Sequence, residues 1–112
     1  MGKTLSESAV HQYREQGYHF PIPVFAEEEV ATYRQHIQEV ESREGDVFIG
    51  KYKEKPYLLF TWLDALVRNS RILVVVEDLI GPDILVWGGG FFNKAPNYES
   101  FISRHLDATY WG

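Results

Sequence analysis

Gly81-Pro82 splits this sequence into two parts that follow different rules of spacing. Proline has no backbone N–H to give a helix, and glycine readily takes the left-handed conformation that ends one. Before this point apolar side chains recur at helical intervals. After it, Ile, Val, Phe and Trp cluster between turn residues, as they do in strands. A chain that is helical first and extended last reads as α+β. Its 112 residues leave room for one domain, residues 1–112, and 45% hydrophobic residues supply material for a core.

Four helices are expected before the break. Thr4 to Gln16 is the first, with Thr4 as cap, Glu7 three residues on, and Gly17 as stop. Pro21 and Pro23 then hold Tyr18 to Phe25 extended. Glu27 to Arg43 is the second, where Val30, Tyr33, Ile37 and Val40 form one apolar stripe. Its opening Glu27, Glu28 and Glu29 suit the positive end of the helix dipole and read as a solvated first turn. Glu44 to Lys55 is polar and reads as a loop. Leu58 to Val67 is the third helix, and Arg71 to Ile80, capped by Ser70, is the fourth. Asp83 to Lys94 and Tyr98 to Asp107 are the expected strands, joined through Ala95-Pro96-Asn97. Phe20, Val30, Tyr33, Ile37, Leu59, Trp62, Leu66, Ile72, Val76, Leu79, Leu85 and Trp87 are the expected core.

Charge and composition narrow the partners. Sixteen acidic residues against 11 basic give a net charge of −5, which argues against nucleic acid or an anionic membrane as the main partner. The longest apolar run, Ile72 to Val76, is too short to span a bilayer, and the opening residues have no apolar signal core. With no cysteine, disulfides and thiolate metal sites are excluded. A cytoplasmic protein acting on a small molecule is the expectation.

The residues richest in chemistry are His105 and Asp107. On a strand, side chains at i and i+2 share a face, so imidazole and carboxylate can reach one ion together. Two histidines and a carboxylate on one octahedral face hold non-haem iron and leave three positions for co-substrate and dioxygen. The plain alternative is a histidine paired with a nearby aspartate. His11 and His36 read as helix-surface residues, and His19 as a partly buried strand residue, a ligand role being the lesser alternative. Gly88-Gly89-Gly90 lacks the Gly-Lys-Ser/Thr of a phosphate loop. Inside an extended pattern, three glycines point to a bulge or to close approach by another backbone or a ligand.

The segment Phe101-Ile-Ser-Arg-His105-Leu-Asp107-Ala-Thr-Tyr110-Trp111-Gly112 resembles the W-H-x-D-x-x-Y-W-G segment of the phytanoyl-CoA dioxygenase family. Upstream, Tyr13-Arg-Glu-Gln-Gly-Tyr18 resembles that family's F-x-x-x-G-Y/F opening. Asp78-Leu-Ile-Gly-Pro-Asp83 looks like its L-x-G-P-D/N turn, and Phe91-Phe-Asn-Lys-Ala-Pro96 like its F-x-K-x-P strand. The four pieces fall in the family's order along nearly the whole chain. The glycine triplet departs from it, since the family usually carries side chains there.

The resemblance implies an Fe(II)/2-oxoglutarate dioxygenase on a double-stranded β-helix, or jelly roll, of which this chain would hold the helices and the first strands. His105 and Asp107 would be two iron ligands. A carboxylate at 107, where halogenating relatives carry a small residue, implies a hydroxylase of aliphatic C–H bonds. Lys94, Tyr110 and Trp111 would line the co-substrate or substrate pocket; a surface lysine and ordinary aromatic packing are the alternatives. The family's second iron histidine and its 2-oxoglutarate arginine lie farther along than Gly112, so the expectation is a chain cut off after its first two ligands. The other reading is a non-catalytic fragment or binding module that associates with another chain, including self-association through an exposed sheet edge.

Overall fold

Asp78, in the last turn of the fourth helix, sets where the first helix begins. One oxygen of its carboxylate accepts the backbone N–H groups of Thr4 at 2.6 Å and Leu5 at 2.7 Å. Thr4 is thereby held across the fold, and Ser6 does the capping instead, its hydroxyl accepting the Ala9 N–H at 3.1 Å. In the computed structural model, which describes residues 4–45, 52–92, 96, 97, 99 and 101–111 (the last two as backbone alone), the first helix is therefore α1, Glu7–Gln16. Gly17, at φ 81°, closes it as expected.

Three further helices carry the scaffold. α2 spans Glu27–Glu44, and a 3₁₀ turn at Pro56–Leu58 leads into α3, Thr61–Val67. α4 spans Ser70–Ile80 and is capped by Asn69, whose side chain accepts the Arg71 N–H at 2.9 Å. Ala26 has no side-chain acceptor to cap α2, but the Glu29 carboxylate reaches back to the Ala26 N–H at 2.9 Å. Among the described residues, no helix is long and apolar enough to cross a membrane.

The core is thin. Leu5, Ala9 and Val10 pack with Val75 of α4, flanked by half-buried Ile22, Val74 and Leu79. Val40 of α2 and Leu63 of α3 are the other buried hydrophobics among the described residues. Of the expected core, Tyr33, Ile37, Trp62, Leu66, Ile72, Val76 and Leu79 are half-buried. Phe20, Val30, Leu59, Leu85 and Trp87 are exposed, and Leu85 is 84% accessible.

Among the described residues of 83–94 and 98–107 the expected strands do not form, and with them goes the jelly-roll beginning. Among the described residues the structure is helical, with no strand and no sheet. Residues 83–92 make one isolated antiparallel bridge, Gly90 against Glu54, beside a Lys55 N–H to Gly89 carbonyl bond of 2.8 Å. Residues 101–106 run irregularly into a short helix, α5, at Asp107–Trp111. A strand needs a neighbour along its whole length to satisfy its backbone groups, and β-propensity reports a pleated, half-covered surface rather than a backbone preference. Here local turns take donors instead, with Ile84 N–H on the Pro82 carbonyl and Thr109 N–H on the Leu106 carbonyl, both at 3.0 Å. A route to self-association through a sheet edge falls with the sheet.

One glycine of the triplet, Gly90, finds its reason in the bridge. A Cβ at Gly90 would collide with the Lys53 carbonyl oxygen, whereas one at Gly88 would meet open space. Close approach by another backbone, one of the readings from sequence, is what the structure contains.

Candidate metal site at His105 and Asp107

His105 lies in the irregular segment and Asp107 opens α5, so no strand face aligns them. The turn into the helix does so instead: His105 Nε2 stands 3.2 Å from Asp107 Oδ1. Ligands on adjacent octahedral positions of a small divalent cation, each about 2.0–2.1 Å from it, stand about 3 Å apart. The observed separation suits that arrangement. Both side chains are open to solvent, with 39% of His105 and 83% of Asp107 accessible.

The other imidazole nitrogen decides what Nε2 can do. His105 Nδ1 is 2.8 Å from the Ser103 carbonyl oxygen, an acceptor, so Nδ1 carries the proton and donates it. In the neutral ring this leaves the Nε2 lone pair turned toward a carboxylate oxygen. Two lone pairs at that distance repel unless a proton or a metal cation lies between them. Histidines that bind metals are commonly fixed in this way, with the second ring nitrogen donating to a backbone carbonyl. One imidazole and one carboxylate form a donor set that fits Fe(II) as two of three protein ligands. Among the described residues, no group of three or more histidines and carboxylates is arranged to hold a metal ion.

The remaining residues singled out from sequence are placed unequally. Lys94 lies outside the described residues, as do the side chains of Tyr110 and Trp111, whose backbones belong to α5. His11 is exposed, as expected. His19 is half-buried, its Nδ1 2.7 Å from the Gln12 amide oxygen. His36 is not a plain surface residue, for its ring stacks on Trp62 with centroids 5.2 Å apart and planes 19° from parallel.

Trp62 and Tyr33, both expected in the core, belong to an aromatic cluster whose other members, Phe25, His36, Tyr52 and Phe60, sequence reading did not assign to it. Tyr33 and Phe60 each lie 6.3 Å from Trp62, Phe25 is 5.4 Å from Tyr33, and Tyr52 is 5.3 Å from Phe60. Beside the cluster Ile37, Val40, Phe60, Trp62, Leu63 and Phe91 help to line a shallow apolar cleft that is open to solvent. Neither His105 nor Asp107 lines it. The placement of His36 one turn from Tyr33 and Val40 was the available signal.

The chain matches no family model, no curated protein and no solved structure. The family resemblance rests on the motifs alone.

Proposed function

We propose that this chain contributes two iron ligands, His105 and Asp107, to a 2-oxoglutarate-dependent oxygenase that hydroxylates an aliphatic C–H bond of a small organic or acyl substrate. The single observation that supports the reading is the 3.2 Å approach of His105 Nε2 to Asp107 Oδ1, with Nδ1 committed to the Ser103 carbonyl. Fe(II), with 2-oxoglutarate and dioxygen, would supply the oxidising chemistry, while the protein binds and orients. Asp107 would bring the negative charge that offsets the cation. Ser103, through its carbonyl, would keep the imidazole in the ligating tautomer. Lys94, Tyr110 and Trp111 are proposed to face the co-substrate or substrate, as the resemblance implies.

The test is succinate formation from 2-oxoglutarate with Fe(II), ascorbate and air. The 112-residue chain alone, with two ligands among its described residues, is expected to give none above background. In a protein that includes this segment and a third ligand, Asp107→Ala should abolish turnover. Undiminished turnover in that variant would remove Asp107 from the ligand set.

A second reading, a module that associates with another chain, has its own support. Leu85, Trp87, Phe92, Phe101, Ile102 and Leu106 are 57–84% exposed, more large apolar surface than a short soluble segment ordinarily leaves to water. On this reading the mass in solution rises with concentration, and Trp87→Ser with Phe101→Ser lowers it. A monomer at every concentration would exclude self-association.

A further inference from the structure

We draw no further inference here: the strongest candidate, the run of exposed apolar side chains between Leu85 and Leu106 that follows α4, belongs to the association reading already given, and nothing in the structure shows what covers it.

Discussion

Arg71, on the first turn of α4, grips Glu29, on the first turn of α2, with both terminal nitrogens of its guanidinium. The two contacts are 3.1 Å and 2.5 Å and join positions 42 residues apart in sequence. The same guanidinium sits over the Phe25 ring at 4.9 Å. An opening turn that reads as solvated acid thus contains one member that ties two helices together. Planar forks suit such two-point contacts, which a lysine cannot reproduce.

This clasp makes a prediction about acid. The Arg71 guanidinium, and after it the Ala26 N–H, hold the Glu29 carboxyl at about 2 instead of 4.5. Because the folded value lies below the unfolded one, the unfolded chain takes up the proton first as pH falls. The stabilisation is complete above about 4.5 and is lost between there and about 2. Glu29→Gln should therefore be less stable at neutral pH and should lose less stability than the parent across that window. Thermal melts at stepped pH, at low salt, would check this. The pair is exposed, so added salt should shrink the difference.

Trp62 should be the most costly single aromatic to remove. It touches Tyr33, His36 and Phe60, and so joins α2, α3 and the turn before α3. Full truncation of a buried Trp costs about 3–5 kcal/mol, and a half-buried one should lose about 2–3. In a fold with so little buried apolar surface, that is enough to populate the unfolded state at room temperature. Urea titration of Trp62→Ala would measure it, and parental stability would contradict the role given to this cluster.

The glycine triplet should respond position by position. Gly90→Ala must push apart the Gly90–Glu54 bridge, since its Cβ would overlap the Lys53 carbonyl oxygen. The Lys55 N–H, bonded to Gly89 at 2.8 Å, then loses protection. Faster hydrogen exchange at Lys55 is expected for Gly90→Ala and not for Gly88→Ala. Equal exchange in both would mean the close approach is not maintained in solution.

How much of this was legible beforehand depended on the range of the interactions involved. Gly17, Gly81 and the stripe Val30, Tyr33, Ile37, Val40 act within a turn or two, and the helices lie where those residues put them to within a few positions. The start of α1 moved from Thr4 to Glu7 because Asp78, far along the chain, takes the Thr4 N–H. The strands failed for a related reason. Leu85 and Trp87 have strand chemistry, but pairing needs a neighbour that their own segment cannot specify. His105 and Asp107 meet because two residues of separation is short enough for either a strand or a helix start to bring them together. The choice between those two lay in the turn, where Thr109 bonds back to Leu106. Spacing along α2 puts His36 on the face of Tyr33 and Val40, but its choice of Trp62 as partner and the Glu29–Arg71 clasp depend on tertiary packing, which spacing along one helix does not encode.

The central claim is that His105 and Asp107 hold a divalent metal through Nε2 and a carboxylate oxygen. Nuclear magnetic resonance of the 112-residue chain, titrated with Fe(II) without oxygen, tests this at the level of single residues. Weak binding in fast exchange is expected, because two ligands leave most of the coordination sphere to water. Paramagnetic broadening should centre on His105 and Asp107, fade along α5, and vanish in both His105→Ala and Asp107→Ala. Broadening centred on the acidic first turn of α2, or surviving in both variants, would contradict the account.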